Sequence, residues 1–216
     1  ILLLEATDKI LTAMPERLRE AAVKTLWRKW IEVRFSAVVT DYDGELVRLK
    51  SGEVIPTRTV IWAAGVQAAP LNARLGLTAG RQGRVVVEPT LQVHGHPEVF
   101  IIGDAAHLDE NGQPLPMVAP VAIQMGKHAA LNIRNALRGK PLVPFHYRDQ
   151  GTLATIGRNA AVADVYGIRA KGFPAWVLWL GIHIIQLIGF RNKLFVLLNW
   201  AWDYFFYERA ARLIKV

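Results

Sequence analysis

The sequence predicts an α/β fold with a helical element appended at its C-terminal end. Several short apolar runs end in an acid or a glycine, which is typical of strands buried on both faces of a parallel sheet. Residues 15–30 and 119–137 instead carry apolar side chains at helical spacing. The last 44 residues hold 11 of the 20 aromatic side chains. Layers of strands and helices followed by an apolar tail are therefore expected.

The N-terminal part begins with a predicted strand and a predicted helix. "ILLLEA" (residues 1–6) is the first apolar run, and Pro15 suits the first turn of the helix over residues 15–30. "EVRFSAVVTDYDG" and "LVRLKSGEVI" alternate and turn at Asp43-Gly44 and Ser51-Gly52, which predicts a small antiparallel meander. "TVIWAAG" (59–65) predicts another buried strand that ends at a glycine.

The central part predicts strands that lead into a long helix. "GRVVVEPTLQV" is expected to be a strand and a proline turn, followed by the strand "VFII" (99–102) and by Gly103-Asp104. Residues 108–117 contain a glycine and two prolines and are expected to form a loop. The helix over residues 119–137 then carries Pro120 in its first turn, where a missing N–H is tolerated.

The C-terminal part predicts a hairpin, a basic linker and an apolar tail. "TLATIGRNAAVADVYG" (152–167) is expected to form two short strands around Arg158-Asn159, and Arg169 and Lys171 then lead into the tail. The tail opens with an uncharged run of 18 residues (173–190), which is at the edge of membrane-spanning length.

A single helical stripe in this run carries aromatic and polar side chains: Trp176, Trp179, His183, Gln186 and Phe190. It predicts a helix that lies in a lipid interface, or one packed on the protein with its other faces in lipid. A two-span transmembrane hairpin is the alternative, and Asp203 and Glu208 count against it because charges at bilayer depth are costly. We interpret His183 as an interfacial histidine, with a proton-relay or ligand-contact role as its alternative.

The amino-acid composition excludes several kinds of functional site. The chain has no cysteine, which excludes a disulfide scaffold, a thiolate zinc site and thiol catalysis within this stretch. Because it opens inside an apolar run and lacks an initiator methionine, we expect a fragment of a longer protein.

The charge is uneven along the chain. Residues 1–125 carry a net charge of −1, whereas residues 126–216 carry +9. This asymmetry predicts an anionic partner, either a membrane surface or a nucleic acid. Aromatic and aliphatic side chains flanked by Lys and Arg favour lipid, whereas nucleic-acid-binding segments interleave basic residues with Gly, Ser and single aromatics. The sequence therefore favours an anionic membrane surface and no nucleic-acid partner.

Glu5 stands directly behind the first predicted strand. Ligands of open parallel sheets bind outside the carboxyl ends of the strands, and an acid there accepts hydrogen bonds from the ribose hydroxyls of NAD(H). The glycine fingerprint of such a site lies about 20 residues upstream of the acid. A plain surface or capping role for Glu5 is therefore left open.

Asp104 also follows an apolar run, and a helix begins about a dozen residues later. We expect the first turn of that helix, Ala119 to Ala122, to present unpaired backbone N–H groups and the positive end of a dipole. An ionised aspartate only accepts hydrogen bonds, which suits the polyol chain of a cofactor. The competing hypothesis is a metal site built from neighbouring side chains, namely His94, His96, Asp104, His107 and Asp109. The cofactor role is favoured, and no metal is expected.

A family resemblance rests on three segments: "TVIWAAGVQAAPL", "GRVVVEPTLQVHGHPEVFIIGDAAH" and "LPMVAPVAIQMGKHAALNI". They resemble the FAD-dependent pyridine nucleotide-disulfide oxidoreductases, which have two Rossmann-like dinucleotide-binding domains. With the tail "GFRNKLFVLLNWAW", the chain is similar to the C-terminal half of the type II NADH:quinone oxidoreductases. Other branches of the superfamily carry a Cys or a His-Glu dyad in the later half of their chains, and this sequence has neither feature.

The resemblance implies four parts: the remainder of an NADH-binding domain (1–90), the C-terminal part of an FAD-binding domain (91–150), a β-hairpin with a basic linker (151–172) and membrane-associating helices (173–216). It also implies site residues. NADH would be bound at Glu5, Ala64 and Gly65. FAD would be bound at Gly103, Asp104, Ala119, Pro120, Val121 and Ala122. The quinone motif Ala-Gln-x-Ala-x-Gln reads "APVAIQ" here, so Gln124 matches its second glutamine and Pro120 replaces the first.

The function implied is hydride transfer from NADH to FAD and then two-electron transfer to a membrane quinone, without proton pumping. The protein would be peripheral or monotopic on the cytoplasmic face of the cell membrane, and whether the tail forms a homodimer is left open. Two alternatives remain at this point. One is a soluble-acceptor NADH reductase of the same superfamily, and the other is a non-catalytic, membrane-anchored protein that binds a nucleotide or a partner.

Overall fold

The computed structural model describes residues 1–206, which divide into two compact units. One consists of Ile1–Thr59 and the described residues from Gly151 onward, and the other of Val60–Gln150. The helices are α1 (Glu16–Arg28), α2 (Leu71–Arg74), α3 (Ala119–Ala136), α4 (Phe173–Gln186) and α5 (Phe190–Phe206). The strands are β1 (Leu2–Leu4), β2 (Glu32–Arg34), β3 (Val39–Tyr42), β4 (Leu46–Leu49), β5 (Val54–Pro56), β6 (Val85–Val86), β7 (Gln92–Val93), β8 (His96–Phe100), β9 (Ala106–His107), β10 (Asp109–Glu110), β11 (Gln113–Pro114), β12 (Thr152–Thr155), β13 (Ala161–Val165) and β14 (Ile168–Gly172). Short 3₁₀ turns lie at Arg81–Gly83 and Gly103–Ala105.

The first unit opens with a parallel strand pair that α1 connects. β1 pairs with β2 in parallel, and α1 buries Leu18 and Ala22 in a core with Met14 and Val162. The first predicted strand and the first predicted helix are therefore confirmed. One detail was wrong, because residues 32–34 pair with β1 and not within the antiparallel meander.

The meander itself is confirmed as the antiparallel sheet β3-β4-β5. Asp43 shapes its first turn by accepting the backbone N–H groups of Glu45 at 3.0 Å and Leu46 at 2.8 Å. These two bonds, together with the charge of Arg48, hold the pKa of the Asp43 carboxyl below its ordinary value. Gly44 occupies the left-handed region at φ 102°, where glycine is favoured.

The first unit continues with the antiparallel sheet β12-β13-β14. The predicted hairpin is confirmed, but the expected linker was wrong, because Arg169 and Lys171 lie in the third strand, β14. β13 buries Ala163 and Val165, which pack in one core with Ala175 of α4. An apolar cluster thus anchors the start of the tail on the sheet.

The tail forms two helices in the described part of the chain. The first of them, α4, ends at Gln186, and Gly189, at φ 80°, precedes α5. Trp179 of the predicted stripe stacks on Trp200 of α5, with ring centroids 5.8 Å apart. No helix within residues 1–206 is long and apolar enough to cross a membrane. The remaining tail residues, including Glu208, lie outside the described residues.

The hydrophobic core of the second unit packs against α3. This helix, confirmed close to its predicted bounds, buries Val121, Met125 and Ala129 against a cluster that includes Leu91 and Phe145. β6 pairs with β9 in parallel, and β7 pairs with β8 antiparallel.

Three predictions for this unit need correction. Residues 59–65 do not form a strand, and Ile61 is 87% exposed, because no strand of the described residues pairs with this segment. Strand β8 ends at Phe100, so "VFII" is only half in a strand. The loop of residues 108–117 contains a small hairpin, β10-β11, that turns at Asn111-Gly112. Both turn residues have positive φ, as a tight hairpin requires.

Candidate cofactor-binding site

The Gly103–Ala105 turn lies directly against the start of α3. Gly103 has φ +62°, and a Cβ on it would lie 3.2 Å from the Cβ of Ala122. Its backbone N–H donates to the Sδ atom of Met125 at 3.3 Å. Glycine is therefore favoured at position 103 for two reasons, its backbone conformation and its close approach to the helix.

The turn presents the Asp104 side chain to solvent. Within residues 1–206, no hydrogen bond or ion pair engages its carboxylate. All of its acceptor positions are therefore free for a ligand that carries hydroxyl groups. An exposed acceptor on a glycine turn packed against a helix start fits the sugar-like chain of a dinucleotide cofactor.

The start of α3 offers fewer free N–H groups than the sequence predicted. The N–H groups of Val121 and Ala122 both donate to the carbonyl of Val118, at 3.1 and 3.2 Å, and Pro120 has none. In the described part of the chain, Ala119 alone of the first turn keeps an N–H without a backbone partner. The positive end of the helix dipole remains, because it arises from the whole helix.

Gln124 lies one turn further along α3 and is bound to a neighbouring segment. Its Nε2 donates to the carbonyl of Arg148 at 2.9 Å, and its Oε1 accepts the N–H of Arg148 at 3.0 Å. The side chain therefore fixes the path of residues near 148.

Glu5 lies at the carboxyl end of β1, as predicted. Its Oε1 accepts the backbone N–H of Thr7 at 2.8 Å and the Thr7 hydroxyl at 2.9 Å. One carboxylate oxygen therefore shapes the turn after the strand. The other has no partner among the described residues and is available to a ligand.

Ala64 and Gly65 lie in the second unit, in an exposed segment without regular structure. Gly65 has φ +101°, and the space around its Cβ position is open for 4 Å. The backbone of this segment is therefore exposed, and its predicted contact with a nucleotide stays a prediction.

The competing metal hypothesis has no support in residues 1–206, where no three His, Cys, Asp or Glu side chains form a group that could hold a metal ion. His107 pairs with Asp109 at 3.2 Å, and His94 pairs with Glu88 at 2.7 Å. Each of these histidines thus faces a single carboxylate.

Sequence reasoning missed one polar residue next to the site. Asn72 of α2 is buried and donates to the carbonyl of Ala105 at 3.0 Å, beside Asp104. Nothing in the segment "PLNARLGL" signals this contact, because the burial of a polar side chain depends on segments distant in sequence.

The tail presents a second surface of interest. An apolar stripe along the exposed side of α5, spaced three and four residues apart, contains Phe195, Leu198 and Trp202 and ends at Phe205, which also borders the groove described next. On the side toward α4, aromatic rings line a groove of about 710 Å³. The Nδ1 of His183 donates to the carbonyl of Trp179 at 2.8 Å, which ties that ring nitrogen to its own helix.

An exposed acid on a glycine turn that follows a strand and packs against a helix start is an arrangement typical of dinucleotide-binding α/β proteins. Comparison with known sequences specifies it further. Residues 1–126 match the pyridine nucleotide-disulphide oxidoreductase family, and residues 150–208 match the NDH2 C-terminal domain. The chain belongs to the pyridine nucleotide-disulphide oxidoreductase family.

Two curated relatives come from Mycobacterium tuberculosis. The type II NADH:quinone oxidoreductase NdhA is 37% identical over 213 residues, which cover 93% of this chain and 44% of the relative. The type II NADH:quinone oxidoreductase Ndh is 36% identical over 211 residues, which cover 93% and 45%. The chain therefore spans less than half the length of these relatives.

A solved structure shares the fold. NDH2 from Plasmodium falciparum in complex with NADH superimposes with a TM-score of 0.83 at 15% identity, covering 100% of this chain and 59% of that one. The predicted α/β fold and the family resemblance are both confirmed.

Proposed function

We propose that this chain is part of an enzyme that transfers a hydride from NADH to FAD and two electrons onward to a membrane quinone. The observation that carries the proposal is the exposed Asp104 carboxylate, which has no partner in residues 1–206, on a glycine turn packed against α3. The relatives named as type II NADH:quinone oxidoreductases support the same reaction.

On the FAD side, the residues of this chain bind and orient. Asp104 accepts hydrogen bonds from the hydroxyl groups of the ribityl chain, on the side of the cofactor that leads to its phosphates, and Gly103 allows the turn to approach α3. Residues Ala119 to Ala122 place the positive end of α3 toward the ring system, where it stabilises negative charge. FAD, when bound, supplies the hydride-accepting and electron-donating chemistry.

On the NADH side, Glu5 accepts hydrogen bonds from the adenosine ribose through its free carboxylate oxygen. Its negative charge disfavours a 2′-phosphate, which selects NADH over NADPH. Ala64 and Gly65 allow the nucleotide to approach the backbone, since the space over Gly65 is open. Gln124 contacts the quinone through the amide that Arg148 orients.

We also propose that the tail binds an anionic membrane surface on the cytoplasmic face and does not span the membrane. The exposed apolar stripe of α5 supports this, because aromatic and aliphatic side chains partition into the lipid interface. The charge of +9 over residues 126–216 adds electrostatic attraction. A homodimer through the tail is the further arrangement that this surface would allow.

The test is made on the full-length protein, with bound FAD measured alongside NADH oxidation by a water-soluble quinone. The proposal predicts stoichiometric FAD, quinone reduction that prefers NADH to NADPH, and sedimentation with vesicles of anionic lipid. NADH oxidation with soluble acceptors but not with quinone would instead establish the soluble-acceptor alternative. Absence of both FAD and NADH oxidation would refute the catalytic role.

A further inference from the structure

We propose that Asn72 is a positioning residue that holds the Gly103–Ala105 turn so that Asp104 faces the cofactor. This inference rests on the proposed function, because the position of the turn matters to catalysis only if Asp104 binds FAD. It assigns a role to α2, a short helix that carries no other residue of the site.

The contacts of Asn72 connect two segments distant in sequence. Its Nδ2 donates to the carbonyl of Ala105 at 3.0 Å and to the carbonyl of Gly83 at 3.1 Å. The side chain is only 9% exposed, so water competes little for either carbonyl. Both hydrogens of one amide are thereby used to tie the Asp104 turn to the neighbouring 3₁₀ turn.

The Gly103–Ala105 turn leads directly into β9, which pairs with β6, and it makes further contacts of its own. Its own backbone bond runs from the N–H of Ala106 to the carbonyl of Gly103. Another contact runs from the N–H of Gly103 to the sulfur of Met125, which is a weak acceptor. The bond from Asn72 is therefore a side-chain link that adds to the backbone pairing of β6 with β9, and it ends on the residue next to Asp104.

A second buried side chain, close to Asn72 in sequence, contacts the segment that leads into α3. Arg84 follows Gly83, is buried, and donates through Nη1 to the carbonyl of Leu115 at 2.9 Å. Leu115 lies four residues before α3 begins. Residues 72–84 thus contact the segments that deliver both Asp104 and the start of α3, which pre-organises the site before the cofactor arrives.

Asn132 provides a matched control for this role. It is 0% exposed and also donates through Nδ2 to two carbonyls, those of Thr90 at 3.0 Å and Val143 at 2.9 Å. It lies thirteen residues after the start of α3, about 20 Å along the helix. A general contribution of buried amides to folding therefore affects both asparagines, whereas positioning of Asp104 affects only Asn72.

The experiment compares Asn72→Asp with Asn132→Asp in the full-length protein. Each change removes a donor and directs a carboxylate at two carbonyl oxygens, so both variants should lose thermal stability. Only Asn72→Asp should also raise the dissociation constant for FAD, by about tenfold beyond Asn132→Asp, and alter the circular dichroism of the bound flavin. Asn72→Ala, which removes both bonds without adding a charge, is measured in parallel in case Asn72→Asp does not fold.

Equal FAD affinity and equal flavin circular dichroism in the variants of Asn72 and Asn132 would overturn the positioning role. That result, in a wild-type protein that binds FAD and reduces quinone with NADH, would leave the proposed function standing. A wild-type protein that does neither would refute the proposed function, and the role of Asn72 with it.

Discussion

Replacing Gly103 by alanine tests how closely the candidate site depends on its turn. Gly103 has φ +62°, a conformation that alanine adopts at a cost of about 1 kcal/mol. The new methyl group would also lie 3.2 Å from the Cβ of Ala122, closer than ordinary van der Waals contact. Relief of that contact requires the turn to move away from α3 and to carry Asp104 with it.

The two costs can be separated with a matched variant. Gly112 in the β10-β11 turn also has positive φ, at +74°, and no atom lies within 4 Å of its Cβ position. Gly112→Ala should therefore lower the free energy of unfolding by about 1 kcal/mol through its backbone alone. Gly103→Ala should lower it by about 2–3 kcal/mol, because overpacking against Ala122 adds to the backbone cost.

Denaturant unfolding measures these free energies, and flavin fluorescence measures FAD affinity in the same variants. Gly103→Ala should weaken FAD binding by about tenfold, since Asp104 is displaced, whereas Gly112→Ala should leave it unchanged. In a double-mutant cycle, Ala122→Gly should restore about 1 kcal/mol to Gly103→Ala, because it removes the contacting methyl group. Equal losses in the two glycine variants, with no coupling to Ala122, would refute this account of the turn.

Three further predictions follow from other contacts. Gln124→Ala should lower the free energy of unfolding by about 1 kcal/mol, because both backbone groups of Arg148 lose their partner. The same variant should raise the KM for quinone, and an unchanged KM would remove Gln124 from the quinone site. The ionised Asp43 carboxylate, whose pKa is lowered, stabilises its turn above about pH 4. This contribution should disappear as the pH falls through that pKa, and the Leu46 amide proton would report the change by NMR. Absence of any titration in acid would contradict this prediction. Trp202→Ser should weaken vesicle binding by about tenfold, whereas Trp30→Ser should not, although Trp202 is 52% and Trp30 is 90% exposed; equal effects would remove the α5 stripe from the membrane surface.

The sequence predicted the elements whose signals are local. Helix α1 follows from apolar residues every four positions behind Pro15, and α3 follows from the same spacing with Pro120 in its first turn. The β3-β4-β5 meander follows from alternation and from its two turns, of which Asp43-Gly44 is fixed by hydrogen bonds within three residues. Short-range chemistry determines each of these, so pattern was sufficient.

The sequence failed where a distant partner decides the structure. Residues 59–65 have the apolar pattern of a strand, but a strand needs a neighbour to pair with, and none is present in residues 1–206. Residues 32–34 alternate like the meander that follows, yet their pairing is decided by the first strand, thirty residues earlier. Hydrophobic pattern defines a strand without naming its partner.

The candidate site shows the same division. Gly103, Asp104 and the start of α3 were predicted from adjacent segments, and the structure brings the turn and the helix into contact. The pairing of Gln124 with Arg148 and the burial of Asn72 were not predicted, because both depend on residues 24 and 33 positions away. The candidate ligand-contacting residues were thus predicted from sequence, whereas the residues that hold them in place were not.

The measurement that tests the central claim most directly is FAD affinity in Asp104→Asn, compared with Asp109→Asn in the same full-length protein. Both aspartates are exposed and lie in the second unit, but Asp109 already pairs with His107, whereas the carboxylate of Asp104 has no partner among residues 1–206. The account predicts that Asp104→Asn raises the dissociation constant for FAD by at least about tenfold and that Asp109→Asn leaves it unchanged. Full FAD retention and unchanged NADH:quinone activity in Asp104→Asn would contradict it.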